Sequence, residues 1–191
     1  MYELSLRPAL VGLVGSHDLV GVEIGSYEGL NALSILIYLD VKKIYLIDPY
    51  LGPYIHTKDD FYDPGYIKYI AHTRLEEFKD KIVWLEMKSD ESSKFVTDKL
   101  DFIYIDGNHK YNAVMKDLFD FYPKMKKGAI MGGHDFELGE YDKEKRSDTV
   151  GNGVREAVMD FFYDIYKNDA VIKYHIDPAD SRSYDWWVVL K

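Results

Sequence analysis

The sequence contains no cysteine, which excludes disulfides, thiolate metal sites and a thiol nucleophile. It has no run of about eighteen apolar residues, the length a membrane-crossing helix requires. The start, Met-Tyr-Glu-Leu-Ser-Leu-Arg, carries an acid early and lacks the basic opening and small-residue cleavage site of a secretory signal. Together these absences are compatible with a cytoplasmic protein. Basic residues are in the minority, 24 Lys and Arg against 33 Asp and Glu for a net charge of −9. That balance argues against general nucleic-acid binding, which draws on clustered Lys and Arg. Repeats and low-complexity tracts are also missing, and 191 residues suit one domain spanning 1–191.

What is present is an alternation of apolar runs and amphipathic stripes. Residues 3 to 14 read as a short amphipathic helix. Leu19-Val-Gly-Val22, Lys43-Ile-Tyr-Leu-Ile47, Ile82-Val-Trp-Leu-Glu86, Leu100-Asp-Phe-Ile-Tyr-Ile105 and Ala129-Ile-Met-Gly-Gly133 read as buried strands. Between them lie helices over about 30–39, 66–79, 91–100 and 110–125, with another from Val154 to Ile165. The 110–125 stripe buries Tyr111, Val114, Met115, Leu118, Tyr122 and Met125 and leaves Lys110, Lys116, Asp117 and Lys124 outside. Val171–Ile176 and Tyr184–Leu190 follow with no helix between them, which predicts an antiparallel pair joined by D-P-A-D-S-R-S. The expected fold is therefore α/β: a doubly wound three-layer sandwich, seven-stranded and mostly parallel, closed by a C-terminal antiparallel hairpin. Two loops stand out beside the expected ligand edge. One, between Tyr50 and Tyr66, is rich in Pro, Gly, Asp and Tyr and suits a lid or a solvated connection. The other, Glu137 to Thr149, is charged.

The first strand-to-helix turn, Val22-Glu-Ile-Gly-Ser-Tyr-Glu-Gly29, carries the ligand signal. Its glycines are four apart, giving E-x-G-x-x-x-G rather than the dinucleotide G-x-G-x-x-G or the phosphate-loop spacing. An acid in such a turn, Glu23, repels phosphate and suits a cationic or hydroxyl-bearing ligand. Asp48, at the end of the second strand, is placed to accept hydrogen bonds from ribose hydroxyls. Strand ends of a parallel sheet converge along one edge, so Glu23, Asp48 and Ser89 form one group. Asp106, His109, His134 and Asp135 form a second beside it. Two carboxylates with an imidazole suit a hard or borderline divalent ion.

The segment E-I-G-S-Y-E-G-L-N-A resembles the first motif of class I S-adenosylmethionine (AdoMet) methyltransferases, more narrowly of the catechol O-methyltransferase type. D-G-N-H-K-Y, G-G-H-D-F and G-V-R-E-A-V look more like a bacterial family containing sugar O-methyltransferases and cephalosporin-hydroxylase-like proteins. The likeness runs from about Val20 to Phe162. It implies cofactor contacts at Glu23, Gly25, Ser26, Tyr27, Gly29, Asn31, Asp48 and Asp106, with Ser89 and Asp90 at the adenine edge. It implies a divalent metal, Mg²⁺ by analogy, at Asp106, His134 and Asp135, with His109 in the position of a lysine general base and Asp106 in the catalytic group. His134 departs from the family's aspartate at that position. The implied activity is methyl transfer to a hydroxyl of a small molecule or sugar, and the alternative is an AdoMet- or nucleotide-binding protein without metal-dependent catalysis. A nicotinamide oxidoreductase is disfavoured by the glycine spacing and the terminal hairpin. The acceptor and the metal stay open, as does assembly into a homo-oligomer.

Overall fold

A computed structural model describes residues 4–51, 54–55, 61–137, 142–146, 152–166, 171–176 and 184–191. Seven strands form one sheet: β1 (Leu19–Ile24), β2 (Val41–Ile47), β3 (Ile82–Leu85), β4 (Leu100–Ile105), β5 (Met125–Gly133), β6 (Lys173–Ile176) and β7 (Tyr184–Val189). Their order is 3-2-1-4-5-7-6, parallel from β3 to β5, with β7 antiparallel to β5 and β6 antiparallel to β7. The chain winds outward from β1 to β3, then returns to place β4 on the other side of β1. That reversal opens a crevice at the carboxyl ends of β1 and β4, where ligands of doubly wound sheets bind.

Each strand's alternation feeds two apolar layers, because successive side chains point to opposite faces. Tyr45, Ile47, Ile103 and Ile105 join one core with Leu118, Phe121, Val158 and Phe161. Ile44, Leu46, Phe102 and Tyr104 join the other with Leu10, Ile35, Leu36 and Leu75. The helices on these faces are α1 (Leu30–Tyr38), α2 (Pro64–Leu75), the single turn α3 (Ser89–Ser92), α4 (Tyr111–Phe121) and α5 (Val154–Met159), which runs on as a π turn over Asp160–Ile165. Among the described residues no helix is long and apolar enough to cross a membrane.

Several boundaries differ from expectation for local reasons. The N-terminal helix is a 3₁₀ segment, Pro8–Leu13. α2 begins at Pro64, where proline is pre-set for a first helical turn and the Asp63 carboxylate caps the Tyr66 N–H at 3.0 Å. The helix expected over 91–100 is confined to α3 and a 3₁₀ turn, Ser93–Phe95. α4 stops at Phe121 because Pro123 lacks the N–H a further turn would use. Met125, expected on that helix, instead opens β5, and Lys126-Lys127-Gly128 are strand residues. Of the two prominent loops, Tyr54–Ile55 and Phe61–Tyr62 pair as a short antiparallel ladder and Lys143–Arg146 forms a 3₁₀ turn. The rest of the expected lid (52–53 and 56–60), residues 138–141 and 147–151, and the hairpin connection 177–183 lie outside the described residues.

Gly25 and Gly29 of the turn are both left-handed, with φ of 87° and 75°. Each has a steric reason in the fold. A Cβ on Gly25 would lie 2.0 Å from the Asp106 carbonyl oxygen, and one on Gly29 would lie 2.9 Å from Leu75 Cδ1 of α2. Gly25 lets β1 and β4 approach, and Gly29 lets α1 seat on α2. Substituting Gly25 therefore disturbs the fold before any ligand binds. Gly25→Ala is expected to destabilise the cofactor-free protein by roughly 2–4 kcal/mol, combining left-handed strain with an overpacked contact. Thermal unfolding without ligand measures this; an unchanged Tm would contradict the steric reading.

Candidate functional site

The turn after β1 is fixed by backbone bonds to both neighbours. Gly25 N–H donates to the Ile47 carbonyl at 2.8 Å, and Asp106 N–H donates to the Ile24 carbonyl at 2.8 Å. Asp48, buried at the end of β2, accepts from the N–H groups of Tyr27 and Tyr50, each at 2.9 Å. Both tyrosines are left-handed, with φ of 44° and 45°, a conformation bulky side chains avoid. Tyr50 O–H closes the arrangement by donating to the Tyr27 carbonyl at 3.2 Å. One carboxylate thus holds two strained residues on facing loops.

Over these strand ends lies a cavity of about 750 Å³, within the size range of small-molecule sites. Gly25, Tyr27, Asp48, Ser89, Asp90, Asp106 and His109, all expected from the sequence, line it. Glu23, Ser26, Gly29 and Asn31 are not among its lining residues. Glu23 is 1% exposed. Its Oε1 accepts from Asn31 Nδ2 at 2.8 Å, and Oε2 has no hydrogen-bond partner among the described residues. Burial pushes its pKa up to about 8; the Asn31 amide opposes the rise and the Asp106 charge adds to it.

Beyond Asp106 the second group assembles as expected. Donor atoms of Asp106, His134 and Asp135 lie within 4.8 Å of one another. His109 is brought to both carboxylates, its buried Nε2 lying 3.5 Å from Asp106 Oδ1 and 3.2 Å from Asp135 Oδ2. Burial works against both imidazolium ions. The neighbouring acids outweigh it, Asp106 and Asp135 for His109, Asp135 and Asp106 for His134, so both pKa values are raised.

The sequence matches the methyltransferase-domain family over residues 22–136, more than half of its length. The chain belongs to this family. It is an AdoMet-dependent methyltransferase with the Rossmann-like fold of that class. No curated protein matches it. Among solved structures, an O-methyltransferase from Bacillus cereus in complex with SAH aligns with a TM-score of 0.64 at 14% identity, covering 98% of this chain and 84% of that one. An rRNA methylase from Streptococcus thermophilus aligns at 0.62 and 9% identity, covering 96% and 93%. A precorrin-6y C5,15-methyltransferase from Geobacter metallireducens aligns at 0.64 and 13% identity, covering 96% and 85%. At such identities the likeness is one of fold.

Three features of the methyltransferase site escaped the sequence reading. Asp117, expected outside α4, is 1% exposed and lines the cavity. Burial pushes its pKa up to about 7, against the Ser89 hydroxyl and with help from Asp120 and Asp90. The signal was present: Asp117 stands three residues after Val114 and four before Phe121, on the same helical stripe. Asn152 donates to the Asp135 carbonyl at 3.0 Å and accepts from Val154 N–H at 3.0 Å, while Gly153 N–H donates to the His109 carbonyl at 2.8 Å. This turn ties α5 to both candidate catalytic segments. Asp185 on β7 gathers Tyr104 O–H at 2.8 Å, Arg7 Nη1 at 3.8 Å and His134 Nε2 at 4.0 Å around its Oδ1. No local pattern marks the last two.

The buried Glu23 has a stability consequence. Its folded pKa of about 8 exceeds the ordinary value of 4.5, so the folded methyltransferase holds a proton that the unfolded chain has released. Stability then falls as pH rises through that window, with a slope of at most about 1.4 kcal/mol per pH unit from this group. Glu23→Gln keeps the Asn31 partner and is expected to flatten that portion of the profile. Denaturant unfolding from pH 5 to 9 checks it; parallel profiles for both proteins would remove the assignment.

Proposed function

We propose that this methyltransferase moves the AdoMet methyl group to a hydroxyl of a small molecule or sugar, assisted by a divalent ion. The observation that carries the reading is the convergence of Asp106, His134 and Asp135 next to the cavity end formed by Asp106 and His109. Two carboxylates and an imidazole are a donor set for Mg²⁺ or a borderline divalent metal. When bound, the ion supplies charge that orients an acceptor hydroxyl and lowers its pKa. The choice of oxygen as acceptor rests on that donor set; the Bacillus cereus O-methyltransferase shares the fold.

AdoMet fits the cavity in size and chemistry. Asp48 and Asp106 suit hydroxyl and ammonium donors, and Ser89 with Asp90 stands at the end where adenine is expected. Transfer is a direct displacement: the acceptor oxygen forms a bond to the methyl carbon as the carbon–sulfur bond breaks. The chain's work is alignment, exclusion of water and removal of one proton. His109, beside Asp106 in the cavity lining, is the residue proposed to take that proton. Asp135 is held for this work by Asn152, which grips the carbonyl of a residue with φ of 58°.

Exhaustive chelation is expected to abolish turnover while leaving S-adenosylhomocysteine affinity within about threefold, because the cofactor contacts other than Asp106 come from strand ends that hold no metal ligand. Full turnover in the chelated enzyme would sink the metal role and leave His109 as the agent of proton removal. Asn152→Ala touches neither ligand nor acceptor. It is expected to raise the metal concentration for half activity by roughly 10–100-fold, the scale seen when outer-shell partners are lost. A metal titration of activity with Mg²⁺ measures it, and an unchanged midpoint would remove Asn152 from the positioning of Asp135.

A further inference from the structure

The antiparallel end of the sheet brings to the ligand edge an acid that the parallel strands do not supply. β7 runs against β5 with Gly132 opposite Trp187 and Gly133 opposite Trp186. The next step along both strands sets His134 beside Asp185, which is 4% exposed.

The His134 ring has an acid at each nitrogen. Nδ1 lies 3.5 Å from Asp135 Oδ2, and Nε2 lies 4.0 Å from Asp185 Oδ1. Nδ1 is therefore the nitrogen turned toward the group that His134 forms with Asp106 and Asp135. An imidazole that ligates through Nδ1 must carry its proton on Nε2, and a carboxylate facing Nε2 favours that tautomer. At this separation the attraction is electrostatic rather than a hydrogen bond. It strengthens once an ion draws electron density out of the ring.

Asp185 is itself held in place. Its Oδ1 accepts from Tyr104 O–H at 2.8 Å, its Oδ2 accepts from Ala9 N–H at 3.4 Å, and Arg7 Nη1 stands 3.8 Å from Oδ1. These partners are donors and a cation, so they favour the carboxylate that burial opposes. Stability alone does not call for such a charge, since apolar residues of similar volume often serve a core as well. A buried carboxylate aimed at a candidate ligand has a use there that packing does not supply.

We propose that Asp185 is a positioning residue for the metal group, holding His134 with Nδ1 presented to the ion, and that Tyr104 fixes Asp185 for that work. This rests on the metal reading above. Arg7 and Asp185 lie on either side of the stretch 22–136 that matches the family, so this support comes from outside the matched region.

The test is binding of Mn²⁺ to the full chain, followed by the electron paramagnetic resonance signal of the free ion, which needs neither acceptor nor turnover. Asp185→Asn keeps the size of the side chain and an oxygen that can accept from Tyr104. It is expected to raise the Mn²⁺ Kd roughly 10–100-fold, the scale for losing an outer-shell partner. His134→Ala should raise the Kd as well. In the His134→Ala background, Asp185→Asn should add less than about threefold, because its effect passes through the ring. A merely structural role would weaken both backgrounds alike. Tyr104→Phe changes no charge and should give a smaller loss that also depends on His134. Unchanged Mn²⁺ affinity in folded Asp185→Asn overturns the proposal, and so does an equal loss with and without His134. If Asp185→Asn does not fold, Tyr104→Phe carries the same two readings. His134→Ala with wild-type affinity overturns the proposal while leaving a metal at Asp106 and Asp135. Wild-type protein that binds no Mn²⁺ at millimolar concentration overturns the metal reading and this inference with it.

Discussion

The carboxyl ends of β1 and β4 approach so closely at Gly25 that a Cβ there would sit 2.0 Å from the Asp106 carbonyl oxygen. Much of the site follows from that approach. It sets Asp106 beside the glycine turn and joins the cofactor crevice to the acid–imidazole group. It also forces Gly25 into a left-handed conformation, and two residues on, Tyr27 is left-handed again and is held by Asp48. A parallel sheet reverses its winding at one place, and there two loops diverge and leave space for a ligand.

Charge burial is the second theme. Glu23, Asp117 and Asp185 are all buried acids with raised pKa values, burial being the first cause in each. They are compensated unequally. Asp185 is held by Tyr104, Arg7 and the Ala9 N–H. Glu23 and Asp117 each keep one oxygen without a partner among the described residues. Leaving a buried polar group unpaired costs on the order of 1–3 kcal/mol.

Much of this architecture was legible along the chain. The apolar runs at Lys43–Ile47 and Leu100–Ile105 read as buried strands, and the absence of a helix between Val171–Ile176 and Tyr184–Leu190 announced the antiparallel closure. The strand-end acids were legible because a parallel sheet brings consecutive carboxyl ends to one edge whatever the loops do. Helix ends were less so: α4 gives way at Pro123, and Met125 fits a helical stripe and a strand equally well. Asp117 was misplaced because its charge outweighed its position on the stripe. Asn152 carried no signal, since its partner Asp135 is seventeen residues away and linked to it only by how α5 packs.

By itself the sequence determined the alternation of strands and helices, the antiparallel ending, and the gathering of Glu23, Asp48, Asp106, His109, His134 and Asp135 along the carboxyl edge of the sheet. Those follow from periodicity and connection length, which are properties of neighbours in the chain. Tertiary structure alone decided that Gly25 serves strand approach and Gly29 serves helix packing, that Glu23 is buried and bonded to Asn31, and that His109 touches both acids. Each depends on a contact between segments far apart in sequence, and such a contact exists only once the sheet has brought its strands into register.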